Sequence, residues 1–75
     1  MKLYYKAENK DPENTSFAIF YKLDNEWYII NNSGRTVAEG DEPYPIWIPK
    51  NYIKSWRIAH RVFRISKANA MLEML

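Results

Sequence analysis

The chain has 75 residues, a mass of 9.0 kDa and a formal net charge of +2, with 47% hydrophobic residues, 16% aromatic residues and no cysteine. This length allows one small core, and so much apolar material excludes a wholly disordered chain. The lack of cysteine excludes disulfides, thiolate zinc sites and cysteine nucleophiles. No stretch resembles a signal peptide or approaches the ~20 apolar residues of a membrane span. We therefore expect a soluble, cytoplasmic protein with a single domain, residues 1–75.

The first half of the chain has the two-residue periodicity of β-strands. Apolar and polar residues alternate in the first segment, and the next two are rich in aromatic and β-branched residues. Asp24-Asn25 stands between two of these segments and suits the tight turn of a β-hairpin. Ser33-Gly34 marks a further turn. The pattern predicts an antiparallel meander with strands over about 2–8, 17–23, 26–31 and 35–39.

Residues 41–49 carry three prolines, at positions 43, 45 and 49. Proline lacks the backbone donor that a helix or a central strand needs, so the pattern predicts an extended crossing. Tyr44, Ile46, Trp47 and Ile48 make this crossing apolar. It either closes one end of the core or presents Tyr44 and Trp47 as part of a contact surface.

From Lys50 onward the periodicity becomes helical. Pro49 or Asn51 suits the beginning of a helix, and apolar residues then recur on one side at positions 52, 56, 59 and 63. Ile58, Val62 and Ile65 would widen that apolar side. The phase breaks near Ser66, which suits the N-cap of a second helix. We predict a main helix over about 50–65 and a short helix over about 67–75.

These elements predict an α+β fold, with a three- to four-stranded antiparallel sheet packed by one main C-terminal helix plus a short terminal helix. A sheet covered by one helix leaves its other face open. Tyr4, Phe20 and either Trp27 or Tyr28 would then lie on the open face among lysines. The alternative is that the crossing or the terminal segment covers these aromatic residues.

Charge is distributed unevenly along the chain. Residues 1–42 hold five bases and eight acids, whereas residues 43–75 hold six bases and one acid. On the predicted helix the bases recur every three or four residues and form one stripe, and no acid occurs over 50–67. The stripe is a solvated face, a surface paired internally with Glu39, Asp41 or Glu42, or a binding site for an anionic partner. Its members are Lys50, Lys54, Arg57, Arg61 and Arg64.

Residues typical of enzymes are scarce. His60 is the only histidine, and the acids stand in turn-borne pairs at 11 and 13, 24 and 26, and 41 and 42, where solubility explains them. Neither glycine opens a phosphate-binding loop, and no metal-ligand spacing is present. We therefore expect no catalytic residues, no cofactor and no metal, and a structural or surface role for His60.

The sequence favours a non-enzymatic interaction protein. Its site would comprise the basic stripe with Tyr44 and Trp47, and its first partner would be an acidic protein surface. Asn, Lys, Ile and Tyr provide 28 of the 75 residues, a usage typical of AT-rich genes such as those of a phage, a mobile element or a low-GC bacterium. Within the class of interaction proteins, this usage suggests a phage- or mobile-element-type inhibitor or regulator. The alternative is a small nucleic-acid-binding domain that uses the same stripe on the phosphates of DNA or RNA. No membrane partner is expected.

The C-terminal segment carries its own apolar stripe. A chain end of this kind folds back onto the sheet or pairs with a second copy, so the protein is a monomer or a homodimer. Folding back is the favoured alternative. The residues of the stripe are Ala68, Met71, Leu72 and Leu75.

Overall fold

The computed structural model describes residues 1–32, 35–36, 38–39, 42–43 and 45–73, and the side chains of 1–32 and 45–73. The fold is α+β, with antiparallel strands and two helices, as the sequence predicts. The strands are β1 (Leu3–Asn9), β2 (Phe17–Leu23), β3 (Glu26–Asn32), β4 (Arg35–Thr36), β5 (Ala38–Glu39), β6 (Glu42–Pro43), β7 (Ile46–Ile48) and β8 (His60–Ile65). The helices are α1 (Lys50–Ala59) and α2 (Lys67–Glu73).

The meander of β1, β2 and β3 confirms the first three predicted strands to within about one residue at each end. β2 and β3 form a β-hairpin whose two-residue turn consists of Asp24 and Asn25. Asp24 and Asn25 both have positive φ angles, 51° and 65°, as a two-residue hairpin turn requires. Short polar side chains tolerate this left-handed conformation better than other non-glycine residues do.

The main sheet is larger than the three or four strands predicted. Its order is β4-β3-β2-β1-β8, and β7 pairs with β3 on the same side as β4. Within the described residues, the sheet therefore contains six strands in five side-by-side positions, because β4 and β7 share the position next to β3. A separate two-stranded ladder joins β5 to β6.

The predicted helix over 50–65 is wrong in its second half. α1 ends at Ala59, and residues 60–65 form β8, which pairs with β1. The residue pattern of this segment fits a strand as well as it fits a helix. In a strand, Val62 and Arg64 lie on one side and Phe63 and Ile65 on the other. The edge of β1 decides between the two, because its backbone groups need hydrogen-bond partners and β8 supplies them.

Lys10 helps to end α1 at this point. Its Nζ donates hydrogen bonds to the carbonyl oxygens of Arg57 and Ile58, at 3.1 and 3.3 Å, and its backbone N–H donates to the carbonyl oxygen of Ala59 at 2.9 Å. A cation at a helix C-terminus also interacts favourably with the helix dipole. The β1–β2 loop thus satisfies the last carbonyls of the helix.

Two other predicted segments are also modified. The strand predicted over 35–39 is divided between β4 and β5, which belong to different sheets. The crossing over 41–49 was predicted to be extended without belonging to a sheet. Two parts of it, β6 and β7, instead pair as short strands with β5 and β3. Pro43 lies in the two-stranded ladder, and Pro45 and Pro49 flank β7, so the prolines stay out of the centre of the main sheet.

One apolar core lies between the sheet and α1, on what we call the α1 face. Ile53 is the buried residue of α1, with 2% of its surface exposed, and Trp56 packs beside it with its ring 5.5 Å from that of Phe20. Burial of a side chain the size of Ile53 contributes about 2 kcal/mol. The buried members of this core are Ala7, Ala18, Phe20, Trp27, Ile29, Ile48 and Ile53.

A second core lies on the opposite face, beneath α2, on what we call the α2 face. Of the two alternatives for the second face, the open one is wrong and cover by the terminal segment is right, because Tyr4 is buried and Tyr28 is half-buried in this core. Phe20 and Trp27 are buried as well, but in the core on the α1 face. α2 folds back as favoured, and Ser66 caps it by accepting the Asn69 N–H at 3.0 Å. The buried members of this core are Tyr4, Ile19, Tyr21, Ile30 and Ala70.

Candidate binding surface

Three cations lie on the solvent side of α1. The helix begins after Pro49, has no acidic residue in its first turn, and directs Ile53 and Trp56 toward the sheet. Lys50, Lys54 and Arg57 recur at intervals of four and three residues and are all exposed. At a rise of 1.5 Å per residue they span about 10 Å, roughly half the length expected for the longer helix.

Ile58 lies among these cations with 78% of its surface exposed. The sequence placed it on the apolar side of a 16-residue helix, but the residues of the shorter α1 that belong to the core on the sheet are Ile53 and Trp56. Lys54 precedes Ile58 by one helical turn, and Arg57 is its neighbour in the chain. The result is a large apolar side chain in contact with water beside two cations that have no ion pair with a described acid.

Arg64 lies on the same side of the sheet as α1. It stands opposite Tyr5 in the β1–β8 pairing, and its guanidinium lies 5.6 Å from the centre of the Tyr5 ring. The Tyr5 ring contacts that of Trp27 at 4.8 Å, and Lys22 lies 5.6 Å from the Trp27 ring on β3. Both rings belong to the α1-face packing, so Arg64 and Lys22 bracket an aromatic pair that is built into the fold.

Arg61 lies on the other side of the sheet. It stands opposite Glu8 and lines an open cavity of about 630 Å³ together with Lys6, Ser16 and Phe17. Because side chains alternate along a strand, Arg61 and Arg64 extend from opposite faces. The predicted single stripe is therefore wrong. We call Lys50, Lys54, Arg57 and Arg64 the α1-side cations, and treat Arg61 separately.

None of these five cations has an ion pair with any acid whose side chain the structure describes. Lys6 is different, because its Nζ lies 3.2 Å from Glu8 Oε1 and 3.0 Å from Glu73 Oε1. Burial lowers the pKa of Lys6, but hydrogen bonds to Glu73 and Glu8 outweigh it and leave the pKa raised. The proposed internal partners, Glu39, Asp41 and Glu42, lie outside the described side chains, so pairing with them stays a prediction.

The other two predicted site residues are Tyr44 and Trp47. Tyr44 lies outside the described residues. Trp47 is 54% exposed on β7, and its indole Nε1 donates a hydrogen bond of 2.8 Å to Glu26 Oε2. β7 and β8 lie at opposite edges of the sheet, four strand spacings or about 19 Å apart. Trp47 is therefore separate from the arginines of β8.

The described acids of the first two turn-borne pairs have local roles. Asp11 Oδ1 accepts the Glu13 N–H at 3.0 Å, Asp24 occupies the hairpin turn, and Glu26 holds Trp47. Among the described residues, no three His, Asp or Glu side chains gather as metal ligands would.

His60 joins three elements. Its Nδ1 lies 3.2 Å from the Trp56 carbonyl oxygen, its Nε2 lies 3.4 Å from Ser16 Oγ, and its ring packs 4.4 Å from the Trp56 ring. This half-buried position, at the junction of α1, β8 and the end of the β1–β2 loop, fits the structural role expected for it.

In the part of the chain that the structure describes, neither helix has the length and apolar character needed to cross a membrane. Comparisons of the chain with protein-family models, with curated proteins and with solved structures gave no match.

Proposed function

We propose that this chain is a non-enzymatic interaction protein that masks an acidic surface of a partner protein. The α1-side cations and Ile58 form the contact region. The observation that carries the proposal is the exposure of Lys54, Arg57 and Ile58 side by side on α1, with no acid paired to either cation among the described residues.

The cations impose a small cost on the isolated protein. Lys50, Lys54 and Arg57 are one helical turn apart in succession, and like charges at this spacing destabilise a helix by a few tenths of a kcal/mol per pair. Lys50 also stands at the helix N-terminus, where the dipole disfavours a cation. An acidic partner would offset both effects, and complementary charge would raise the association rate.

Ile58 favours a protein over a nucleic acid as the partner. Protein interfaces commonly place an apolar side chain at the centre and charged groups around it. Nucleic-acid surfaces offer phosphates to the cations but no matching apolar pocket on the backbone.

The nucleic-acid alternative is favoured by the arginines, because Arg57 and Arg64 have the planar geometry that suits phosphate. It is weakened by the placement of the aromatic residues. Trp27 is buried and Tyr5 is half-buried, so neither offers a free ring face for base stacking. Arg61 also extends from the face opposite to Arg64 and cannot share one phosphate line with it.

Within this class, we propose a phage- or mobile-element-type inhibitor or regulator as the specific form. Its support is residue usage alone, with 28 of 75 residues drawn from the four types that AT-rich codons favour. A small chain that acts by occupying a partner's surface needs no catalytic group.

A matched pair of charge reversals tests the proposal. Arg57→Glu and Lys67→Glu change the net charge equally, but Arg57 lies on α1 and Lys67 begins α2 on the other side of the sheet. Tagged protein is incubated with nuclease-treated cell lysate, the captured proteins are identified, and their affinities for each variant are measured. We expect Arg57→Glu to weaken binding roughly tenfold and Lys67→Glu to change it less than about twofold.

Ile58→Ser provides the second arm. This substitution should weaken the affinity for a protein partner and leave the affinity for duplex DNA unchanged, because only a protein interface buries the side chain of Ile58. Equal binding by Arg57→Glu, Lys67→Glu and the parent chain would show that the α1-side cations are a solvated face. Capture of proteins from untreated lysate in a parallel incubation, but not from nuclease-treated lysate, would favour the nucleic-acid alternative.

A further inference from the structure

The two edges of the main sheet are built differently. At one edge β3 is bordered by β4 and β7, which are two and three residues long, and prolines flank β7. Short strands and prolines discourage the addition of another strand. At the other edge β8 has six residues and pairs with β1 without interruption from His60 to Ile65. This second edge is long and regular enough to accept a strand.

The outer side of β8 is open in the part of the chain that the structure describes, where β8 pairs with β1 alone. α2 does not cover it, because Ala70 packs with Tyr4 and Ile19, over β1 and β2. Alternate residues of an edge strand direct their N–H and C=O groups away from the sheet. Those groups on β8 can receive a further ladder of hydrogen bonds.

The side chains of β8 indicate what such a strand would carry. Arg61 extends from the α2 face and Arg64 from the α1 face, and both are exposed. Glu8 stands opposite Arg61, but its Oε1 binds Lys6 at 3.2 Å. Phe63 lies between the two arginines in the chain and on the same face of the sheet as Arg61, with 39% of its surface exposed. An added strand with two acids three residues apart would bring one carboxylate to each arginine.

A second copy of the chain fits this edge poorly. β8 contains two arginines and no acid, so pairing β8 with β8 would collect four cations in one six-residue seam. Like charges on adjacent strands oppose pairing. The charges that discourage self-pairing favour an acidic segment from another protein.

We propose that the free edge of β8 binds an extended acidic segment of the partner protein, which joins the main sheet as an added strand beside β8. Backbone hydrogen bonds to residues 60–65 would provide the affinity, and carboxylates at Arg61 and Arg64 would provide the selectivity. The inference rests on the proposed function, because it names the part of an acidic protein partner that is recognised.

A synthetic peptide tests the edge directly. The probe is an acetylated and amidated heptapeptide with two glutamates three positions apart and valine or threonine elsewhere, titrated against the full chain. Two derivatives carry N-methyl groups on alternate amides, one on each side of the extended peptide. Because a strand uses the amides of one side only, one derivative should lose binding at least about tenfold and the other should retain it.

Two further measurements accompany the titration. Amide hydrogen exchange should show new protection at alternate residues of β8 when the parent peptide is bound. Arg61→Glu combined with Arg64→Glu should abolish binding of the acidic peptide and permit binding of its lysine analogue. Lys67→Glu is the control for net charge and should bind the acidic peptide like the parent chain.

Equal binding of both N-methylated peptides would overturn the inference, even if the arginine reversals abolished binding, because charge alone would then explain recognition. Failure of the unmethylated acidic peptide to bind the chain would overturn the inference as well, whether or not the chain binds duplex DNA or single-stranded RNA in the same assay. The proposed function is judged separately, on captured proteins and Arg57→Glu, so failure of the strand addition is distinguishable from failure of the proposed function.

Discussion

Lys10 donates a hydrogen bond from its Nζ to the carbonyl oxygen of Arg57 at 3.1 Å, and this contact links the β1–β2 loop to the last turn of α1. The same ammonium reaches the Ile58 carbonyl oxygen at 3.3 Å. The loop that provides it is itself ordered by side-chain oxygens, since Asn9 Oδ1 accepts the Asp11 N–H at 2.8 Å and Asn14 Oδ1 accepts the Ser16 N–H at 2.9 Å. The end of α1, and with it the candidate binding surface, depends on this loop.

Lys10→Ala should therefore lower the free energy of unfolding by about 1 kcal/mol, because two helix carbonyls lose a charged donor. Lys54→Ala is the control, because it removes another exposed lysine that has no hydrogen bond or ion pair with a described residue. Chemical denaturation of both variants measures the difference. Equal stability of the two would show that water replaces the Lys10 contact without loss.

The hairpin turn gives a prediction of opposite sign for two substitutions at one residue. Asn25 has a φ of 65°, so Asn25→Ala should cost about 1 kcal/mol of stability, because alanine tolerates this conformation poorly. Asn25→Gly should preserve or raise stability, since Asp-Gly suits the turn. Thermal unfolding of both variants provides the comparison. A stable alanine variant would mean that the turn adopts another geometry.

Alkaline pH should destabilise the fold. Burial raises the pKa of Tyr21 above its ordinary value of 10.0, and the neighbouring Tyr28 and Tyr4 add to the shift. The unfolded chain then releases this proton first, so the free energy of unfolding falls as the pH rises beyond 10. The raised pKa of Lys6 acts in the same direction above 10.5. Tyr21→Phe should flatten the fall, measured by denaturation from about pH 8 to about pH 12.

The two sides of α2 should respond differently to substitution. Ala70 is fully buried against the sheet, so Ala70→Glu should cost more than about 2 kcal/mol. Leu72 is 65% exposed, and Leu72→Glu should change the stability of a monomer by less than about 0.5 kcal/mol. Ala68 and Met71 are exposed as well, and Leu75 lies outside the described residues.

The same variant tests the homodimer, which stays a prediction. If Ala68, Met71 and Leu72 pair with a second copy, Leu72→Glu should halve the mass measured by light scattering while the fold is retained. An unchanged monomeric mass in the parent chain would exclude this pairing. Truncation after Ser66 is expected to unfold the chain, because it removes Ala70 from the α2-face core.

Local chemistry explains which elements the sequence predicts well. Asp24 and Asn25 define the hairpin turn on their own, and Ser66 defines the start of α2, because each acts on atoms within three residues of itself. These elements are confirmed at the predicted places. The same holds for the three long strands, whose patterns fit a sheet in any tertiary context.

Residues 60–65 show where this reasoning fails. A helix aligns Phe63 with Trp56, and a strand aligns Val62 with Arg64, so the pattern alone supports both. The unpaired edge of β1, more than fifty residues away in the chain, selects the strand. That choice moves Arg61 to the α2 face and shortens the basic helix, so the candidate site changes with it. Ala70 was missed for a related reason, because a small residue gives little periodic signal.

Salt dependence should decide between the two classes of partner. If the four α1-side cations each met a phosphate of duplex DNA, the slope of log K against log salt would be about −0.9 per contact, or roughly −3.6 in all. Arg57→Ala would then reduce the slope by about one and weaken all sequences alike. With an acidic protein, we expect salt to act mainly on the association rate, and Ile58→Ser to accelerate dissociation without changing the salt dependence. If charge reversal at Arg57 and Arg64 leaves the binding of both classes of partner unchanged, the α1-side cations do not belong to the site. Trp47, at the far edge of the sheet, would then mark the next surface to test.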